Sequence, residues 1–302
     1  MPRGPKRKIP LRRRATEAFL WLMIAVGLGI MLFPFVVRLS NAYKSVQMAR
    51  QYQELVDTTP DTTLIEELDR ATSYNRLHVV NNIIDPFAKD KATGETNEEY
   101  ASLLDPMGNG IMGYLDIPKI NQRLNIYHGT DDAVLENGVG HLQGTSLPVG
   151  GDSSHCALSA HRGLPAAKLF TDLDRLRPGD LVLLHVLGND LAYCVDSSQV
   201  VTPDQIESLA IVPGQDLLTL ITCTPYAVNT HRLLVHAHRV PYVPQQSMMT
   251  MGLAVLTPLR LFLLAALIVG IILATFVYDQ RRVAMAARKG KAAPPSGKHM
   301  RR

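Results

Sequence analysis

The chain has 302 residues, of which 46% are apolar, and a net charge of +4. Its basic residues are concentrated at the ends: seven Lys or Arg and one Glu precede Phe19, and eight Lys or Arg and one Asp follow Tyr278. The N-terminal tail therefore has a net charge of +6 and the C-terminal tail one of +7. Since the whole chain has a net charge of +4, the region between the tails has a net charge of −9. Basic ends around an acidic middle argue against nucleic-acid binding and predict a membrane protein whose tails, 1–18 and 279–302, are cytoplasmic.

Two apolar segments predict membrane-spanning helices. The first, Phe19–Val37, has 19 residues without a charge, enough to cross the hydrocarbon core at about 1.5 Å per residue. A cleaved signal peptide is the alternative, but the small residues of a cleavage site do not follow. The second segment, Leu261–Tyr278, is also uncharged. We therefore expect transmembrane helices over 19–39 and 258–278, with the residues between them outside the cell.

After the first anchor, the pattern predicts a helical segment over 40–83. Helical spacing continues from Asn41 to Thr58, and Thr63 followed by Glu66 has the form of a capping box, which predicts a second helix ending near Asn82. We expect these helices to hold the globular domain off the membrane.

A long loop is predicted over 84–110, where Asp, Pro, Gly, Asn and Thr are frequent. Loops of this length tend to be functional or disordered. The loop contains Asp85-Pro86-Phe87. Taken alone, Asp-Pro is an ordinary way to begin a turn.

Short apolar runs separated by turn residues predict a mainly β domain over 111–240, followed by a linker over 241–257. Many short strands with little helix favour a closed or nearly closed barrel, which avoids exposed edges. The predicted strands are Met112–Ile117, Asn125–His128, His155–Ala160, Leu181–Leu187, Leu191–Val201, Leu217–Cys223 and His231–Val240. Short helices are predicted at Ala133–Glu136, Ala166–Leu176 and Thr202–Ser208.

The last two predicted strands place a thiol beside a guanidinium. Cys223 closes one run and Arg232 begins the next, so an antiparallel pair brings both to one mouth of the sheet. A fixed cation favours the nucleophilic thiolate and can hold the oxygen that becomes negative in a tetrahedral intermediate. His161, at the end of an earlier strand, is the candidate proton donor, because histidine can protonate a leaving amine near neutral pH.

The remaining cysteines and histidines favour ordinary structural roles. Three cysteines leave at least one thiol unpaired in an exported domain. Cys156 and Cys194 lie within apolar runs and are expected to be buried, with a disulfide between them as the alternative. His236 and His238 share a strand face, but no carboxylate or thiol nearby in the sequence completes a zinc site. We therefore expect no metal.

The order His161, Cys223, Arg232, with Thr-Leu-Ile-Thr-Cys-Thr-Pro-Tyr around the thiol and Asn-Thr-His-Arg at the guanidinium, resembles the sortase transpeptidases of Gram-positive bacterial surfaces. The likeness spans about Ile111–Val240. One departure is Ala160, since the family commonly has glycine before this histidine. Further motifs are similar to the pilus-assembling class C group, among them Gly-Val-Gly-His at 138–141, Gly-Thr-Ser-Leu-Pro at 144–148 and Leu-Phe-Thr-Asp-Leu-Asp at 169–174.

The resemblance implies a mainly β fold, an eight-stranded sortase-type barrel with N-terminal helices, a lid loop and two flanking transmembrane helices. In pilus-type sortases, a lid at the position of 84–110 carries an Asp-Pro-aromatic motif that covers the active site. The matching residues here are Asp85, Pro86 and Phe87. The Asp85 carboxylate could pair with Arg232, and the Phe87 ring could keep water from the thiol.

The resemblance also implies a cysteine transpeptidase without a cofactor. Cys223 would cleave a Leu-Pro-any-Thr-Gly-like sorting signal between Thr and Gly through a thioacyl enzyme. Arg232 would bind the substrate backbone or the oxyanion, His161 would act as acid and base, and Thr222 would help to position the substrate. The implied partners are pilins or other surface proteins that carry sorting signals, and a pilin lysine is the acceptor amine.

Three alternatives stay open. A housekeeping-type sortase would transfer its substrate to the cell-wall precursor by the same first step. An L,D-transpeptidase also has His before Cys, but its nucleophile follows Ser-any-Gly, whereas Ile221-Thr222 precede Cys223 here. In a non-catalytic membrane-tethered β-barrel adaptor, Cys223 would be structural.

Overall fold

The computed structural model describes residues 11–78, 85–87, 98–203, 205 and 209–242, and four single positions between 270 and 278. The chain divides into two compact units, Met1–Val243 and Pro244–Arg302. The helices and strands below all belong to the first unit. The predicted linker 241–257, second membrane helix 258–278 and C-terminal tail lie almost entirely outside the described residues.

A single helix, α1 (Leu11–Thr58), runs through both the predicted membrane segment and the helix expected after it. The division expected near residue 40 is therefore not a break in the helix, since neither Gly nor Pro occurs between Arg38 and Thr58. Among the described helices, α1 from Phe19 onward is the one long and apolar enough to cross a membrane.

The second half of α1 packs on the globular domain, where Ala49, Tyr52 and Val56 are buried. One contact lies directly after the apolar segment. Arg38 Nε donates to the Pro165 carbonyl oxygen at 2.6 Å. The helical segment is therefore packed on the domain, and the expectation that it holds the domain off the membrane stays a prediction.

Two shorter helices differ from the sequence prediction. Helix α2 (Asp61–Leu77) begins two residues before Thr63 and ends before Asn82, and no side chain caps its first turn. The fixed φ of Pro60 and the acidic Asp61 explain the earlier start, because both suit a helix N-terminus. Helix α3 (Glu98–Ser102) lies inside the predicted loop 84–110.

A tertiary contact explains α3. The hydroxyl of its buried Tyr100 lies 2.8 Å from Nδ1 of His141 and accepts a hydrogen bond from the Gly129 amide. Such contacts stabilise a helix too short to form from propensity alone.

Eight strands form a closed barrel, which confirms the mainly β, eight-stranded part of the predicted fold; the second membrane helix stays a prediction. Their order around the barrel is β1-β2-β3-β4-β7-β8-β6-β5. The pairs β2–β3 and β4–β7 are parallel, and the other neighbours are antiparallel. The strands are β1 (Ile111–Ile117), β2 (Gln122–His128), β3 (Val139–His141), β4 (Ser154–Ser159), β5 (Leu181–Val186), β6 (Asn189–Val201), β7 (Asp216–Thr224) and β8 (His231–Val240).

One short helix was predicted correctly and another was not. Helix α4 (Asp132–Asn137) contains the predicted Ala133–Glu136. Over the predicted helix 166–176, the structure has one 3-10 turn at Leu173–Arg175. Leu169 has a φ of 40°, a left-handed conformation that interrupts an α-helix. The third predicted helix, 202–208, lies largely outside the described residues.

All three cysteines are free thiols, so the alternative of a disulfide between Cys156 and Cys194 is wrong. The barrel order gives the reason. Cys156 lies on β4 and Cys194 on β6, and these strands are not neighbours.

Candidate active site

The β7–β8 hairpin places Cys223 directly opposite Arg232. Side chains of directly opposed residues project from the same face, with Cβ atoms about 4.5–5.5 Å apart. Each of the two residues is only 6% exposed. The thiol and the guanidinium therefore share one mouth of the barrel, as their positions at the strand ends predicted.

The parallel neighbour β4 brings His161 to the same mouth. The Ala160 amide donates to the Ile221 carbonyl at 3.1 Å, and Thr222 Oγ1 donates to the Ala160 carbonyl at 2.8 Å. His161 directly follows Ala160, and Cys223 directly follows Thr222. Thr222 is fully buried, and its hydroxyl joins the ends of two strands. Its expected role in positioning the substrate stays a prediction.

Asp85 holds the guanidinium of Arg232 through two parallel bonds. Nε donates to Oδ1 at 2.8 Å, and Nη2 donates to Oδ2 at 2.6 Å. Both side chains are more than nine-tenths buried. On the other side, Nη1 donates to the backbone carbonyls of Asn229 and His231, each at 3.1 Å. The guanidinium is thereby fixed in orientation, and the carboxylate occupies the two donors that face it.

Phe87 lies between the imidazole and the guanidinium. Its ring centroid is 5.6 Å from that of His161 and 5.2 Å from Cζ of Arg232, within the range of a cation–π contact. Pro86, between Asp85 and Phe87, is buried. The Phe87 ring also packs on a cluster of apolar side chains, formed by Leu142, Ala157, Leu209, Ile221 and Leu234.

The Cys223 thiol is held in its neutral form in this arrangement. Burial raises its pKa above the ordinary value, the Arg232 guanidinium lowers it, and the Asp85 carboxylate raises it again. The net effect is an increase, so little thiolate is present at neutral pH. Asp85 therefore offsets the cation that would otherwise activate the thiol.

The two histidines considered for a zinc site have partners within the fold. His236 lies 2.9 Å from Thr219 Oγ1, and His238 Nδ1 lies 2.7 Å from Asp196 Oδ1. Within the described part of the chain, no group of three or more His, Cys, Asp or Glu side chains is placed to hold a metal ion.

Sequence reasoning missed Arg162, which follows His161. Its side chain is 10% exposed, and Nη1 donates to Oγ1 of Thr224, the residue after Cys223, at 3.1 Å. The sequence offered one signal for Arg162, which is a charged residue close to the end of an apolar strand. A buried charge at such a position needs a partner, but the local sequence does not show which residue that partner is.

A closed barrel whose mouth joins a buried thiol, a guanidinium and an imidazole defines a class of thiol-dependent acyl-transfer enzymes. Residues 115–240 match the family model of the sortase domain. Sortase D of Bacillus subtilis is 30% identical over 192 residues, which cover 62% of this chain and 88% of that protein. The chain therefore belongs to the sortase family of cysteine transpeptidases.

Solved structures of class C sortases are more similar still. Sortase C1 of Streptococcus agalactiae matches with a TM-score of 0.60 and 44% identity, covering 65% of this chain and 100% of that one. Sortase C of Streptococcus pneumoniae matches with a TM-score of 0.58 and 39% identity, covering 65% and 97%. These structural neighbours assign the chain to class C.

Proposed function

We propose that this sortase polymerises pilins by joining a cleaved sorting signal to a lysine amine of the next subunit. The observation that carries the proposal is the covered pair of Cys223 and Arg232, with His161 at the same mouth and the Asp85–Phe87 segment above it. The structure of sortase C from Streptococcus pneumoniae was described in terms of pilin substrate specificity, which supports a pilin as the substrate here.

The first step forms a thioester. The Cys223 thiolate attacks the carbonyl carbon of Thr in a Leu-Pro-any-Thr-Gly-like signal, and the carbonyl oxygen becomes negative. Arg232 donates hydrogen bonds to this oxygen or to the substrate backbone. The C–N bond to Gly then breaks, and His161 as imidazolium gives the leaving amine its proton.

The second step transfers the acyl group. The neutral Nζ of a pilin lysine attacks the thioester and loses a proton to His161, the C–S bond breaks, and the Cys223 thiolate is restored. The product is an isopeptide bond. The chain's own side chains supply each proton transfer, so the scheme uses neither a metal nor an organic cofactor.

The Asp85–Phe87 segment acts as a lid in this proposal. Asp85 occupies Nε and Nη2 of Arg232, which are the donors available to an oxyanion, and Phe87 covers the space between Arg232 and His161. Substrate must displace both side chains before Cys223 can react. Departure of Asp85 also removes one of the causes that raise the pKa of the thiol.

The proposed location is the cell membrane, with the barrel outside. Helix α1 supplies one apolar span, and the uncharged Leu261–Tyr278 supplies the second. The basic tails at both ends stay in the cytoplasm by the positive-inside rule.

The test uses the full-length protein in lipid nanodiscs with a sorting-signal peptide and two competing acceptors, a pilin domain and the cell-wall precursor. We expect a thioacyl adduct on Cys223 in the intact mass spectrum and an isopeptide bond to the pilin lysine. Cys223→Ala is expected to abolish both, while the control Cys194→Ala retains both. Polymer formation by Cys223→Ala, or transfer to the wall precursor alone, would contradict the proposal.

A further inference from the structure

The turn that carries His161 is fastened from one side by the segment 170–174. The Phe170 amide donates to the His161 carbonyl at 3.2 Å, and the Gly163 amide donates to Thr171 Oγ1 at 3.1 Å. Gly163 has a φ of 80°, and a Cβ there would lie 2.7 Å from the Tyr226 ring. The backbone of this turn therefore has little freedom on either side of Arg162.

Arg162 joins the same turn to the strand of the nucleophile. Nη2 donates to Oδ2 of Asp174 at 2.5 Å, and Nη1 donates to Oγ1 of Thr224 at 3.1 Å. One guanidinium thus links the segment 170–174, the His161 turn and the residue that follows Cys223. These are three parts of the chain that must be in register for the imidazole and the thiol to face one peptide bond.

Stability alone does not explain this guanidinium. Within the described residues, its buried Nε has no hydrogen-bond partner, and an unpaired buried donor is unfavourable. The ion pair with Asp174 also contributes little net free energy, because the Asp174 carboxylate is half exposed and the attraction is screened by solvent. Arginine supplies a planar group whose N–H donors form a fork and point in fixed directions. Here two of these donors join the His161 turn to Asp174 and to Thr224 at the end of β7.

The position of Arg162 points to a geometric role. Arg162 directly follows His161, and its hydrogen-bond partner Thr224 directly follows Cys223. The named causes that shift the pKa of Cys223 are burial, Arg232 and Asp85.

We propose that Arg162, fixed by Asp174, is a positioning residue that holds the His161 turn against the Cys223 end of β7. The inference rests on the proposed function, in which His161 moves the protons of both steps. Loss of the Arg162 guanidinium leaves the thiol in place but allows the His161 imidazole to move away from the position in which it can transfer a proton. A small displacement of a catalytic group lowers the rate of such a step strongly.

The kinetic test compares Arg162→Gln with the wild-type full chain in nanodiscs. We expect kcat for thioester formation to fall about tenfold or more, with KM within about twofold. The pH profile of Cys223 alkylation by iodoacetamide is expected to stay unchanged. Arg162→Lys, which keeps one charged contact without the fork, should recover part of kcat.

The matched control is Arg175→Gln. Arg175 pairs with Asp172 of the same segment at 3.3 Å and is 64% exposed, so its loss should leave kcat unchanged. Should Arg162→Gln fail to fold, Asp174→Ala removes the acceptor of the same guanidinium at a half-exposed position. Wild-type kcat in Arg162→Gln or in Asp174→Ala overturns the proposal, and so does an equal loss in Arg175→Gln.

A second readout does not depend on turnover. In the protein labelled with ¹³C at histidine Cε1, the His161 signal, assigned with His161→Asn, is expected to be narrow in the wild type and broadened or split in Arg162→Gln. An unchanged signal overturns the positioning role. A wild-type protein that forms no thioester with a sorting-signal peptide contradicts the proposed function instead, and the His161 signal still decides the role of Arg162.

Discussion

At the scale of single residues, the charge balance around Cys223 depends on Asp85. Burial raises the pKa of the thiol, and the Arg232 guanidinium lowers it. The Asp85 carboxylate raises this pKa further. A cation beside a cysteine is therefore not sufficient to activate it. The guanidinium acts on the sulfur at full strength only when its carboxylate partner has left.

Asp85→Asn tests this balance. The substitution removes the negative charge that raises the pKa of Cys223, so the pKa falls and more thiolate is present at neutral pH. Alkylation by iodoacetamide at pH 7 should rise about three- to tenfold, since one pKa unit changes the thiolate fraction about tenfold, and the midpoint of the pH profile should move to lower pH. A midpoint that stays in place or rises would show that Asp85 does not control the thiol.

The matched control is Asp196→Asn. Asp196 is a half-exposed carboxylate on β6 that pairs with His238, away from the thiol. Its loss should leave both the alkylation rate and the midpoint as in the wild type.

At the scale of elements, the Asp85–Phe87 segment is held by two separable contacts. Asp85 contributes an ion pair with Arg232, and Phe87 contributes packing on an apolar cluster and contact with the His161 ring. The two contacts cover different parts of the candidate site, since Asp85 occupies two donors of Arg232 and Phe87 lies against the imidazole. Their combined removal should uncover the site more than either single change.

The double substitution Asp85→Ala with Phe87→Ala tests the lid as a unit. We expect faster labelling of Cys223 by a peptide-based thiol reagent and faster hydrolysis of the thioester, because water and peptide reach the sulfur without displacing the lid. Each single variant should show an intermediate rate. If labelling and hydrolysis in the double variant both equal those of the wild type, the segment is not a lid.

The elements also show which parts of the fold local sequence can predict. The β7–β8 hairpin was predictable because two long apolar runs flank turn residues, and that hairpin alone brings Cys223 opposite Arg232. Strand β3 has three residues, too few to show alternation, and α3 forms through the tertiary contacts of Tyr100.

The site was predictable to the same extent. Cys223, Arg232 and His161 lie at strand ends that the sequence marks. Arg162 was missed because its role depends on Thr224 and Asp174, which meet it only in the folded barrel.

At the scale of the whole molecule, α1 connects the apolar span to the active-site end of the barrel. Arg38 is the first residue after the uncharged segment, and it bonds to the turn that follows His161. The opposite end of the barrel also meets α1, since a Cβ at Gly188 would lie 3.4 Å from Val56. Eighteen residues separate Arg38 from Val56, about 27 Å along a helix. With the apolar span in a bilayer, we expect the His161 turn to lie near the headgroups and the β5–β6 turn to lie far above them.

Spin labels at these two ends test the arrangement in the full-length protein in nanodiscs. Ala166→Cys places a label next to Pro165, which contacts Arg38, and Asn189→Cys places one at the start of β6, directly after the β5–β6 turn. Both labels are introduced in a background where Cys194 and Cys223 are replaced by Ala and Cys156 stays buried. Collisions with lipid-soluble oxygen should dominate at 166, and collisions with a water-soluble nickel complex at 189. Equal access of the nickel complex to both labels would place the active-site end away from the membrane. The predicted result would instead mean that a peptide reaching Cys223 enters close to the bilayer surface.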